Sequence, residues 1–62
     1  MKRKELIRYL NRKGCLLHRE GGKHSVFINP ENKLSTTVPR QQEIGDKLAR
    51  KICRDLGIEE IK

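Results

Sequence analysis

Apolar residues in this chain come singly or in short groups, and their spacing changes from one segment to the next. Over residues 3–13, Leu6, Ile7 and Leu10 recur at helical spacing while Lys and Arg fill most other positions. That pattern predicts a short, one-sided, basic helix. Gly14 follows as a natural C′ residue, because glycine takes the left-handed conformation without a Cβ penalty. Cys15 to Glu20 and Lys23 to Asn29 read as strands flanking Gly21-Gly22, a common hairpin signal. With the turn centred on those glycines, Arg19 stands opposite His24, Leu17 opposite Val26, and Cys15 opposite Ile28.

The face carrying Cys15, Leu17, Val26 and Ile28 is then the more apolar and is expected to take the helices. His24 and Arg19 would sit at the glycine end of that face, at the rim of the core. The opposite face would hold His18, Glu20, Lys23, Ser25 and a Leu16–Phe27 pair. A one-residue slip would reverse every side chain. Residues 29–33 read as a turn and Leu34 to Val38 as a third strand. An odd loop over residues 30–32, with Asn32 left-handed, would set Leu34, Thr36 and Val38 against Ile28, Val26 and His24. Pro39 ends the strand, since it cannot donate to a ladder.

The last element is the clearest. Leu48, Ala49, Ile52, Cys53 and Leu56 form an apolar stripe, with Lys47, Arg50, Lys51 and Arg54 toward the other side. Gly57-Ile58 predicts a Schellman stop with its hydrophobic contact. Asp46 suits an N-cap or the acidic first turn that the helix dipole favours. The order αβββα implies an α+β fold of two layers. A three-stranded antiparallel sheet would carry both helices on one face, in one domain over residues 1–62.

Composition limits what such a domain can do. Of 62 residues only 34% are hydrophobic, with no Trp, one Phe and one Tyr. A core of this size cannot enclose a deep cavity or a large cofactor, so any site should be shallow. No apolar run is long enough for a membrane span or a signal segment, and a cytoplasmic location is expected. Cys15 and Cys53 fit two reduced, buried thiols, because neither C-x-x-C nor a zinc spacing is present. Asp46, Asp55, Glu59 and Glu60 do not make a metal cluster, and no cofactor motif occurs.

Charge points to the partner. The net charge is +7, and residues 1–23 hold eight Lys/Arg against only Glu5 and Glu20. Such asymmetry resembles the footprint of a phosphate-binding surface, the alternative being a solvated helix face kept soluble by its charge. The first helix lacks the large apolar anchors that a membrane-surface helix uses. RNA carries its own nucleophile, the 2′-OH, so cleavage needs only proton transfers and stabilisation of the phosphorane. Histidine, with an unperturbed pKa of about 6.5, serves either proton role near neutral pH.

His24, beside a glycine turn and among cations, is therefore the candidate catalytic residue. Lys23, Arg19 and Arg40 are candidate phosphate ligands that could also stabilise charge in the transition state. Arg19 opposite His24 would favour a base role over an acid one. Lys4 and Arg8 on the first helix complete the RNA-binding set. His18 is expected to be solvated, and Tyr9 to sit at the rim of the core.

The chain resembles the HicA family of toxin–antitoxin ribonucleases, the mRNA interferases. The resemblance rests on the helix ending at Gly14, the segment Gly22-Lys23-His24 and the strand end Val38-Pro39. It rests also on Leu48-Ala49-Arg50-Lys51-Ile52 running into Leu56-Gly57-Ile58. It implies a fold similar to a double-stranded-RNA-binding domain and mRNA cleavage that needs neither metal nor ribosome and halts translation. It further implies an antitoxin of the HicB type that masks the active site, and it places the family's catalytic histidine on His24. Two positions depart from the family pattern. Gln41 stands where many relatives carry a second histidine after the proline, and Ser25 stands where many carry another. The alternatives are a non-catalytic RNA-binding module, a toxin weakened at Gln41, or a basic adaptor for an acidic protein.

Overall fold

The computed structural model describes residues 1–62 and contains five elements. They are α1 (Arg3–Arg12), β1 (Leu16–Glu20), β2 (His24–Asn29), β3 (Leu34–Pro39) and α2 (Asp46–Asp55). The strands form one antiparallel sheet in the order β1-β2-β3. Leu6 and Leu10 of α1 and Ala49, Ile52 and Cys53 of α2 join Phe27 and Val38 in one buried cluster. Both helices therefore cover the same face of the sheet, in the α+β order αβββα.

Each helix ends as its glycine implies. Gly14 has φ +91° and Gly57 φ +70°. Gly14 N–H donates to the Asn11 carbonyl at 3.0 Å and Cys15 N–H to that of Leu10 at 2.9 Å. Gly57 and Ile58 repeat the pattern with Arg54 at 3.0 Å and Cys53 at 3.1 Å. Both are Schellman motifs, which satisfy carbonyls the helix leaves open. The β2–β3 turn adds to the second stop, because Asn29 Nδ2 and Asn32 Nδ2 both donate to the Leu56 carbonyl, at 2.9 and 3.1 Å. The positive φ favours glycine at 57, and a Cβ there would lie 2.5 Å from Asn32 Nδ2 and push that amide off the Leu56 carbonyl.

The register differs from the expected one. The turn between β1 and β2 falls on Gly22-Lys23, with Glu20 opposite Ser25 and Gly21 N–H donating to the His24 carbonyl at 2.8 Å. Arg19 lies opposite Val26, and a bulge between Leu17 and Arg19 sets Leu17 opposite Phe27 and Leu16 opposite Ile28. Because side chains alternate along a strand, the faces are reversed. Ser25, Phe27 and Asn29 are buried beneath the helices, while His24 is exposed and Val26 and Ile28 are half-buried on the open face. His24 therefore stands on the open side and not at the rim of the core.

The physical reason is that Phe27, the largest apolar side chain of β2, shares the helix-side face with Val38, which stands opposite Ser25 on β3 and is fully buried. Burial of an aromatic ring removes more apolar surface from water than Val or Ile can. The polar residues drawn in with it find partners, so no buried side-chain polar atom lacks a hydrogen bond. The third strand follows the same shift. Leu34, Thr36 and Val38 oppose Asn29, Phe27 and Ser25, the loop spans residues 30–33, and Lys33, not Asn32, is left-handed, with φ +67°. Asn32 instead accepts the Leu34 N–H at 2.9 Å through Oδ1. Leu48, expected on the buried stripe, is 39% exposed, and Ile44, ahead of α2, is buried in the cluster.

Two outcomes follow from this packing. Phe27→Ala should cost about 3–5 kcal/mol, whereas Val26→Ala should cost about 1 kcal/mol. In a domain this small, 1 kcal/mol corresponds to roughly 4–8 °C in Tm, so thermal melts of the two variants check which face is buried. Cys15 and Cys53 are fully buried free thiols, and burial pushes both above the ordinary cysteine value. Neither should react with a soluble thiol reagent in the native protein, and both should react at once in denaturant, as a colorimetric thiol titration would read.

Candidate nucleic-acid site

The His24 side chain projects from the first position of β2, at the turn end of the sheet face that no helix covers. Strand alternation places Arg19 on the same open face, one cross-strand step along, opposite Val26. The Arg19–His24 pairing expected from a Gly21-Gly22 turn is not made, and the argument it gave for a base role goes with it. Lys23 lies in the turn itself and is exposed. The open face thus carries the His24 imidazole and the Arg19 cation toward the turn end, with Lys23 next to them in the chain and half-buried Val26 and Ile28 on the same face.

Gly21 sits where backbones come close. A Cβ there would approach the His24 carbonyl oxygen to 3.0 Å. The rest of the turn is held from the helix side. Arg40 Nη2 donates to the Gly21 carbonyl at 2.8 Å and lies 3.2 Å from Glu20 Oε1. Ser25 Oγ donates to Glu20 Oε1 at 2.5 Å and accepts from Arg3 Nη2 at 2.9 Å. Arg3 Nε donates to the carbonyl of Pro39, the cross-strand partner of His24, at 2.7 Å. The hydrogen bonds of this network reach the His24 backbone through its neighbours and leave the imidazole free.

Lys4 and Arg8 are exposed on α1, and so lie across the sheet from His24. Lys4 joins Lys2, Arg3, Arg40, Gln42 and Glu43 around a polar crevice of about 330 Å³ at the start of α1. Arg40 lines this crevice and also reaches the His24 turn. Arg8 lies farther along α1, in a hollow beside the C-terminal residues. The structure therefore sets His24 and Arg19 on the open face with Lys23 in the adjoining turn, places Arg40 and Lys4 around one crevice at the start of α1, and leaves Arg8 apart.

Other sequence candidates resolve plainly. His18 falls at the bulge of β1 and is exposed. Tyr9 packs against the core, and its hydroxyl donates to the Glu59 carbonyl at 2.7 Å, which ties the C-terminal segment to α1. Gln41 is exposed in the segment after β3. Ser25 points away from His24, into the network beneath the sheet, so its departure from the family pattern falls on the helix side. No three His, Cys, Asp or Glu side chains converge as metal ligands. No helix is long and apolar enough to cross a membrane.

Sequence reasoning missed Arg3, Glu20 and the role of Ser25. Their partners are separated by up to 36 residues, and no local pattern joins them. The only available signal was a basic residue at the first position of α1 and a serine beside the histidine.

Residues 3–58 match the family described as the HicA toxin of bacterial toxin–antitoxin systems. No curated protein and no solved structure matches the chain. The matched stretch contains all five elements, the His24 turn and both Schellman stops. Membership implies a toxin whose natural partner is an antitoxin, and the chain belongs to the HicA toxin family.

Proposed function

We infer that this toxin is an endoribonuclease that cuts mRNA through proton transfer by His24, and so inhibits translation. The observation that carries this reading is the exposed imidazole at the open end of β2, beside Lys23 and Arg19, in a chain of the HicA family. The substrate supplies the nucleophile. Deprotonation of a ribose 2′-OH lets its oxygen attack the adjacent phosphorus, and the P–O5′ bond breaks as the 5′ oxygen takes up a proton. The products are a 2′,3′-cyclic phosphate and a free 5′-OH. No metal-bound water is needed for that sequence.

His24 serves as one of the two proton-transfer groups, a contribution of roughly 10²–10⁴-fold. Lys23 and Arg19 meet phosphate oxygens and offset the charge that builds on the phosphorane. A rate raised by that one positioned side chain suits a toxin acting on scarce message. With a single Tyr and a single buried Phe, the chain has little with which to stack on unpaired bases, so weak sequence preference follows. A HicB-type antitoxin neutralises the toxin by covering His24 and the open sheet face.

Cleavage of a long single-stranded RNA in excess EDTA, by wild type and His24→Ala side by side, tests this reading. Wild type should give fragments ending in a cyclic phosphate, and His24→Ala should lose cleavage by at least about 10²-fold while keeping RNA affinity. Equal cleavage by both would remove His24 from the chemistry. Binding without cleavage would leave an RNA-binding module or a toxin weakened at Gln41, and Gln41→His would separate those two.

A further inference from the structure

Arg40 was a candidate phosphate ligand, yet its guanidinium is already engaged. Nη2 meets both the Gly21 carbonyl and Glu20 Oε1, and the Glu20 carboxylate cancels its charge locally. Neither Lys23 nor Arg19 has such an acidic partner. Glu20 in turn accepts from Ser25, whose hydroxyl is only 2% exposed as part of its residue and is fixed from behind by Arg3. Arg3 also holds the Pro39 carbonyl directly across from His24.

We propose that Arg3, Ser25, Glu20 and Arg40 form one clamp that fixes the Gly21–His24 turn, making Arg40 a positioning residue and not a phosphate ligand. The clamp joins the first turn of α1, both strands of the hairpin and the segment after β3. It holds backbone on both sides of His24: the Gly21 carbonyl before it and the Pro39 carbonyl opposite it. An exposed Arg–Glu pair alone is worth little. Here it is anchored to a buried hydroxyl with all its partners in place, and such networks hold one geometry. The two glycines that open the turn give it freedom that something must remove. This inference rests on the reading of His24 as the proton-transfer residue.

The test separates positioning from phosphate contact. In Arg40→Ala, Ser25→Ala and Glu20→Gln, kcat on RNA should fall roughly 10–100-fold, the range a displacement of about 1 Å can cost, with KM unchanged. Arg40→Ala combined with Glu20→Gln should be no worse than either alone, because both break one network. The salt dependence of RNA binding should keep its wild-type slope in Arg40→Ala. Lys23→Ala should lower that slope by about 0.7, the value for one contact to a single strand.

A slope lowered by about 0.7 in Arg40→Ala, with Ser25→Ala and Glu20→Gln at wild-type rate, would overturn the clamp and return Arg40 to the RNA. Amide hydrogen exchange supplies a readout independent of activity. Gly21 N–H should exchange faster in Arg40→Ala while the amides of α2 stay at wild-type rates, and an unchanged Gly21 rate would equally overturn the proposal. Faster exchange in α2 as well would mark a general loss of stability, and Arg40→Gln would then take its place. If wild type cuts no RNA, the reading of His24 fails, and the exchange result alone decides whether the clamp holds the turn.

Discussion

Burial of one phenylalanine organises the rest of this chain. A strand offers its side chains alternately to two faces, so placing Phe27 under the helices commits every other residue of β2. Ser25 and Asn29 must go in with it, and His24, Val26 and Ile28 must stay out. The histidine is exposed because its strand neighbour three positions on is the best core residue in the hairpin.

That choice obliges the core to accommodate two polar side chains, and the structure meets this with residues from distant parts of the chain. Asn29 turns its amide to the carbonyl of Leu56, the C-cap of α2, and accepts the Glu31 N–H at 3.1 Å, so it closes a helix and shapes a turn at once. Ser25 joins α1 to β1 through Arg3 and Glu20. Each inward polar group thus pins one helix to the sheet at one end of β2. Thr36 extends the pattern along β3, where it donates to Asp55, a carboxyl held below its usual range first by the Lys51 hydrogen bond and then by that of Thr36.

The elements were legible in the sequence because their signals are local. Helical spacing in Leu48 to Leu56, the glycines at 14 and 57 and the proline at 39 each mark a boundary without reference to the rest of the chain. The face of the sheet was not legible. Two adjacent glycines admit a turn centred on either Gly21-Gly22 or Gly22-Lys23, and nothing in Leu17-His18-Arg19 announces a bulge. Counting apolar residues on each face misleads when Ser25 and Asn29 are satisfied by α1 and α2. The same limit applies to the site. His24 and its cations stand close in sequence or follow from family resemblance, whereas the contacts among residues 3, 20, 25 and 40 exist only after folding.

The open sheet face has a colloidal consequence. Leu16 is 54% exposed and shares that face with half-buried Val26 and Ile28, an apolar strip that no layer of the protein covers. Such strips draw copies of a protein together. Each copy carries a net charge of +7, and like charge keeps small proteins apart in solution. The same net charge therefore opposes association through the open faces. That protection weakens with ionic strength, since the screening length shrinks from about 10 Å at 0.1 M to about 3 Å at 1 M. Concentrated salt, often added to keep basic proteins in solution, would here uncover the attraction between open faces.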